Sequence, residues 1–526
     1  MRDFSLPGRS AVRAGEAALA TSHPIANATG LRMLMEGGSA VDAAIAAAAV
    51  LTMAEPQMTG IGGDCFALVS CPTESGISAI NASGKAPLAI SAERFQEMGV
   101  TMLDRFSPHA VTIPAAVRGW WALHQRYGKL DWDRLLQPAV EYSRNGIAVH
   151  DRTAFDWQGE AENLRRDDDT ANLYLHQGKP LQAGMVHVNP ALAETYKRIA
   201  DHGPDGFYKG PVADDLLEKL QSVGGLHSED DFAAASADFV KPISADYMGH
   251  TIWECPPNGQ GVAALLMIRI IERFEIAAMG DADRIHLLAE AAKLAYHMRD
   301  VFVADPDHAD VPVDWMLADT MAEQLAAKID MGRAARFADS DFPTHPDTIY
   351  LAAVDQEGMS VSFINSIFDT FGSCITSPGS GVLLHSRGRS FMLQPGHRNV
   401  IAPGKRPMHT IIPAMVTRDN KLLGPFGVMG GQYQAAGHAM LVSNLFSRGM
   451  NPQEALDAPR SFSYNGKLEV ESGYDAAVAE MLRQRGHDVQ YPSNPIGGGQ
   501  AIMRDHENGC WIAGSDPRKD GMSSGI

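Results

Sequence analysis

Thr348 is the residue whose position could do the most chemistry. It follows a loop-forming run, Phe342-Pro343-Thr344-His345-Pro346-Asp347, and opens an apolar, β-prone run from Ile349 to Val354. A Gln356-Glu357-Gly358 turn leads to a second strand-like run, Ser360 to Phe368, so the pattern predicts a hairpin with Thr348 at its mouth. Two readings stand side by side. Threonine is favoured at strand positions for its branched side chain alone. Cut before Thr348, however, the chain would present a hydroxyl nucleophile and, on the same residue, an α-amine to take its proton. Distant residues have to decide between them.

Other patterns carry less. Gly521-Met522-Ser523-Ser524-Gly525 satisfies GxSxG, but no strand is expected before it and no helix after it, so it cannot build a nucleophile elbow. His176, His187 and His397 lack the HExxH and Cys/His spacings, so neither a metal nor any other cofactor is expected. Five cysteines (Cys65, Cys71, Cys255, Cys374, Cys510) form no CxxC pair and read as buried thiols rather than a disulfide framework. A net charge of −19 argues against a nucleic-acid partner. The most membrane-like stretch, Ala43 to Ala54, is Ala-rich and too short to span a bilayer. Residues Met1 to Ser10 lack the apolar core of a secretory signal, so a cytoplasmic location is expected. A homo-oligomer is compatible with this composition.

The elements that must hold Thr348 fall into three stretches. Near the start, Ser39 can cap a helix from Ala40 to Ala54, and the glycine turn at Thr59-Gly60-Ile61-Gly62-Gly63-Asp64 feeds a strand. The middle is mainly helical, with apolar spacing of three and four over Ala115 to Tyr127, Trp132 to Asn145, Pro190 to Asp201, Asp283 to Val303 and Met316 to Arg336. After Thr348 the period changes to two, over Gly381 to His385, His409 to Thr417, Lys421 to Val428, Gly499 to Arg504 and Cys510 to Gly514. Helices from Gln434 to Phe446 and Ala476 to Arg485 are interleaved late. Segregated helices with mostly antiparallel strands indicate α+β layers, two sheets between helical faces. No linker or repeat divides the 526 residues, which suits one large domain.

A series of landmarks now makes a resemblance specific. In order they are His23-Pro24, Gly37-Gly38-Ser39-Ala40-Val41-Asp42, Gly60-Ile61-Gly62-Gly63-Asp64, Lys85-Ala86-Pro87, Asp347-Thr348, Phe371-Gly372, Ser380-Gly381-Val382, Lys405-Arg406-Pro407, Gly430-Gly431, Ala458-Pro459-Arg460 and Ser515-Asp516-Pro517-Arg518. Over nearly its whole length the chain resembles the γ-glutamyltranspeptidase family of amino-terminal-nucleophile hydrolases. The resemblance implies a four-layer αββα sandwich, made as one precursor and cut between Asp347 and Thr348 into pieces 1–347 and 348–526, a large and a small catalytic subunit. Thr348 would then form an acyl-enzyme with a small-molecule amide. The paired glycines, Gly430 and Gly431, would supply oxyanion-stabilising N–H groups, though such a pair also makes a plain turn after a strand. Ser366 stands where the family has a supporting Thr; otherwise it is a polar residue facing out of a strand.

Departures from the family gather in the acyl pocket. Ser83 replaces the arginine that would hold an α-carboxylate, Ser390 replaces the aspartate for an α-ammonium, and Phe368 replaces an asparagine. His409 and Thr410 replace paired serines, and Arg387 replaces a glutamine. Arg387, Arg389 and His409 could hold a carboxylate lying closer to the scissile amide, arginine being its planar partner, or they could be structural. The pocket resembles that of the oxamate amidohydrolase branch, and implies hydrolysis of a short anionic amide in purine catabolism. A γ-glutamyl hydrolase or transferase is the alternative within the same chemistry, and an uncleaved binding protein the alternative outside it.

Overall fold

Two seven-stranded antiparallel sheets face each other at the centre of the molecule, which we describe from a computed structural model over residues 8–336, 340, 342 and 348–526. In one sheet the order is Met522–Gly525, Ala18–Thr21, Ile349–Val354, Ser360–Ser366, Asp64–Ser70, Ser78–Ala82, Asp238–Val240. In the other it is Val12–Ala14, Cys510–Ser515, Gly498–Asp505, Lys421–Met429, Ala414–Arg418, His250–Glu254, Ile243–Tyr247. The predicted hairpin is the pairing of Ile349–Val354 with Ser360–Ser366, in a register that sets Ile349 opposite Asn365.

Strand alternation explains the layers. Tyr350, Ala352 and Val354 point between the sheets, where they join Phe66, Leu68, Ile364, Met415, Met429 and Trp511. Their neighbours Ile349, Leu351 and Ala353 point the other way, into a core shared with the helix Ala40–Ala54. Both faces are therefore buried, which is why the run reads as continuously apolar. Each large side chain buried here contributes roughly 2 kcal/mol relative to exposure. The sheets approach closely at Gly427, where a Cβ would meet Tyr350 Cε2 at 2.4 Å. Helices Gly261–Ile271, Asp281–Phe302 and Tyr433–Val442 cover the outer face of the second sheet.

Local signals hold at the helix Ala40–Ala54, where Ser39 and Asp42 form a reciprocal capping box. The expected helix Met316 to Arg336 is corrected to two short ones, Val313–Met316 and Asp319–Ala326. Ala318 between them is extended, and further on His286 claims the Asp330 carbonyl. The helix expected over Gln434 to Phe446 passes at Ser443 into a wider π turn, Ser443–Ser447. The strand expected from His409 begins only at Ala414, because Pro413 has no N–H for a ladder and His409 and Thr410 are used elsewhere. Met522–Gly525, the GxSxG segment, is itself a strand and makes no elbow. All five cysteines are free, four of them buried. Among the described residues no helix is long and apolar enough to cross a membrane.

Candidate active site

Register brings Thr348 and Ser366 together. One step beyond the Ile349–Asn365 pair, the Thr348 hydroxyl donates to Ser366 Oγ at 3.3 Å, and both residues are fully buried. From the helix Tyr433–Val442, Gln434 Nε2 donates to Thr348 Oγ1 at 3.3 Å. Asp347, the other half of the expected cleavage site, lies outside the described residues.

Ser366 is a hub. Besides Thr348, its oxygen accepts the Phe368 N–H at 3.0 Å and Arg387 Nη2 at 3.3 Å. Arg387 stands in a tight turn, Arg387–Ser390, with its guanidinium 4.2 Å over the Phe368 ring. Phe368 is held at φ 80°, an uncommon conformation for an aromatic residue and one that aims its ring at the arginine. Thr410 Oγ1 takes Nη1 at 3.2 Å, and Asp64 Oδ2 takes Nε at 3.3 Å. Three of five donors are thus engaged, which leaves one N–H on each terminal nitrogen.

Asp64 is the anion around which this pocket is built. Oδ1 accepts the Gly84 N–H at 2.7 Å; Oδ2 also accepts His409 Nε2 at 3.0 Å and lies 3.2 Å from His385 Nδ1. Burial alone would raise its carboxyl, but the neighbouring imidazoles of His385 and His409 outweigh this and hold it well below the usual carboxylate range. Burial and the neighbouring Arg387 push His409 down to about 3, so it serves Asp64 as a neutral N–H donor. Arg387 falls to about 10 by burial, offset by Asp64, and stays a cation at neutral pH.

The paired glycines end the strand Lys421–Met429 with φ of 126° at Gly430 and 56° at Gly431. Gln260 fastens this turn to the acyl side: its Nε2 donates to Gly431 O at 3.1 Å and to Thr410 O at 2.7 Å. Arg299 Nη1 holds Gln260 Oε1 and Gln432 Oε1 from behind, at 2.7 and 2.6 Å. Beyond Gly497, which packs on Gly430, opens a cavity of about 1300 Å³ bordered by Asp369, Thr370, Arg105 and Arg389.

The γ-glutamyltranspeptidase family profile matches residues 26–526. The chain belongs to that family. It is accordingly a C–N bond hydrolase or acyltransferase of the γ-glutamyltranspeptidase type. Among curated relatives, it is 34% identical over 515 residues to the glutathione hydrolase-like YwrD proenzyme of Bacillus subtilis, covering 96% of this chain and 97% of that protein. To the oxamate amidohydrolase proenzyme of Klebsiella pneumoniae it is 33% identical over 518 residues, again covering 96% and 97%. The crystal structure of cephalosporin acylase from Bacillus halodurans superposes with a TM-score of 0.93 at 35% identity, over 100% of this chain and 99% of that one. The αββα amino-terminal-nucleophile fold follows from this match.

Of the residues singled out in the sequence, Thr348, Ser366, Phe368, Arg387, His409 and Thr410 converge in this family site. Ser83 is spent in a buried network, donating to Asn81 Oδ1 at 2.7 Å and accepting from Asn258 Nδ2 at 3.2 Å. Ser390 does not join the cluster: its backbone oxygen accepts from Asn399, and among the described residues its hydroxyl has no hydrogen-bond partner. Arg389 faces the large cavity and is paired with Asp369 at 2.6 Å. Asp64, His385, Gln260 and Gln434 were not singled out; only the Gly60 to Asp64 landmark pointed toward the first of them.

Proposed function

We propose that the chain is one folding unit cut before Thr348 into pieces 1–347 and 348–526, and that the product hydrolyses the amide of a short carboxylate, oxamate to oxalate and ammonia. The freed α-amine, with a pKa near ~8, takes the proton from Oγ1. Oγ1 attacks the scissile carbonyl, and the N–H groups of Gly430 and Gly431 receive the oxyanion. Collapse expels ammonia, which takes the proton back from the α-ammonium; water then hydrolyses the ester by the same route and regenerates Thr348. Ser366 and Gln434 orient Oγ1 throughout.

The observation that carries the substrate class is the chain Thr348, Ser366, Arg387. Each link is 3.3 Å, so the guanidinium lies within two hydrogen bonds of the nucleophile. An acyl group whose carboxylate is bonded directly to the scissile carbonyl fits this span and meets the spare N–H groups of Arg387. A γ-glutamyl group carries its α-carboxylate three carbons further away. It would also need an anion for its ammonium, and Asp64 is already engaged by Arg387 and His409. The Klebsiella relative named for oxamate supports the same reading, and we infer a role in cytoplasmic purine-ring breakdown. Relatives named glutathione hydrolases support the γ-glutamyl alternative.

Intact mass under denaturing conditions, followed by turnover on oxamate beside a γ-glutamyl anilide, tests both parts. Two fragments with ammonia released from oxamate are expected. A single chain of 56.6 kDa after long incubation would remove the self-processing reading.

A further inference from the structure

Away from this site, His286 and Glu290 lie one turn apart on the helix Asp281–Phe302, and His487 approaches them from the turn after Ala476–Gln484. His286 Nδ1 and His487 Nε2 are 2.8 Å apart. On the far side of its ring, His286 Nε2 bonds the Asp330 carbonyl at 3.0 Å. Because a carbonyl only accepts, Nε2 carries the proton and Nδ1 is a lone pair. A ring steadied in this way by a backbone carbonyl is in the orientation metal-ligating histidines adopt. One ligand atom from each of His286, Glu290 and His487 lies within 4.8 Å of the other two, and all three residues are buried.

We propose that His286, Glu290 and His487 form a divalent transition-metal site of the zinc class. Two imidazoles and one carboxylate suit Zn²⁺, with water in the fourth position. Zn–N bonds of about 2.0–2.1 Å in a tetrahedron set the two nitrogens about 3.3 Å apart, so one ring must swing outward by roughly half an ångström. His487 has the room: it follows Gly486, at φ 94°, and borders a cavity of about 720 Å³. That cavity also gives the metal-bound water its place. Glu290 accepts from Lys293 Nζ at 2.6 Å through Oε1 and from Ala335 N at 3.0 Å through Oε2. Lys293 has a second partner in Ala335 O at 2.9 Å, so it can yield Oε1 and remain bonded. On the two-fragment reading, His286 and Glu290 belong to 1–347 and His487 to 348–526, and the metal ties one to the other.

The test strips the processed protein with a chelator, titrates it with Zn²⁺ and measures retained metal after desalting, together with Tm. One zinc per pair of fragments and a Tm raised by a few degrees are expected, with both responses lost in His487→Gln. Glu290→Gln, which keeps both rings, guards against a misfolded histidine variant and is expected to weaken retention at least tenfold. No retained zinc, or equal retention in the native protein and both variants, would overturn the site. Binding to the uncut Thr348→Ala chain at the native stoichiometry supports the site itself independently of whether the chain is cut.

Discussion

Arg387 Nε and Asp64 Oδ2 stand 3.3 Å apart with both side chains sealed from solvent. An ion pair so placed is costly to break from one side, since the remaining charge stays buried without its counter-ion. On the proposed role of Arg387, recognition and stability depend on the same guanidinium, and the two can be separated.

Arg387→Met is expected to lower stability by about 3–5 kcal/mol through the stranded Asp64 charge. It is also expected to lower kcat/KM on oxamate by roughly 10²–10³-fold through the lost carboxylate partner. Adding Asp64→Asn should restore much of the Tm and none of the oxamate activity. Thermal melts and kinetics on the single and double variants check this; recovery of activity in the double variant would contradict the role of Arg387.

Ser366→Ala removes the acceptor of the Thr348 hydroxyl. Losing one such bond in a buried site is expected to slow both self-cleavage and turnover by roughly tenfold to a hundredfold, while Ser366→Thr, which keeps the oxygen, should retain most of both. Fragment appearance on a denaturing gel and kcat on oxamate report the two steps.

Gly430→Ala places a Cβ 3.0 Å from Gly497 Cα at a φ of 126° that an alanine adopts only under strain. The turn must shift, and its N–H with it. On the proposed oxyanion role, a fall in kcat of roughly 10²–10³-fold is expected, with KM changed far less, because such a donor acts on the oxyanion rather than on the bound amide. A variant losing KM alone would show that the turn binds substrate instead.

Acid should destabilise the fold well before carboxylates titrate. Burial holds His23 and His409 at about 3 and His187 and His227 at about 4 in the folded chain, against about 6.5 unfolded. Between these values the unfolded state binds more protons, so each ring contributes stability that is present above pH 6.5 and lost on acidification, by roughly 1 kcal/mol per pH unit. Glu55, raised to about 7 by burial, acts oppositely: its contribution is present at low pH and fades as pH rises through 7. Four rings outweigh one carboxyl, so Tm should drop steadily from pH 6.5 to 5. A flat profile would mean that the rings are wet in solution.

The partnership of Thr348 with Ser366 was legible through the family resemblance, which put a supporting hydroxyl at Ser366; the residues alone gave a hairpin with Thr348 at its mouth. The register that sets these hydroxyls side by side was not readable from the pattern, because both strands are buried on both faces and alternation does not choose between pairings. Asp64 was harder to see. A glycine-rich turn shows where the chain bends, but not that its last residue meets an arginine on another element. Gln434 and Gln260 sit on helical segments, where an amide reads as surface until the neighbouring layer is known. Ser390 lies three residues along a tight turn from Arg387, and such a turn can separate two residues that are close in sequence.

The last residue of the chain folds back onto the first strands. Ile526 N donates to Ala17 O at 2.9 Å, and Glu16 N donates to Ile526 O at 2.8 Å. Ile526 thus lies beside the segment between the first two strands, while the proposed cut lies before Thr348. A gene rearranged to begin at Thr348, with Ile526 joined by a short linker to the segment before Val12, would encode every strand in its present place. On the proposed role of Thr348, its free amine would come from removal of the initiator methionine, and maturation would no longer need the proposed self-cleavage.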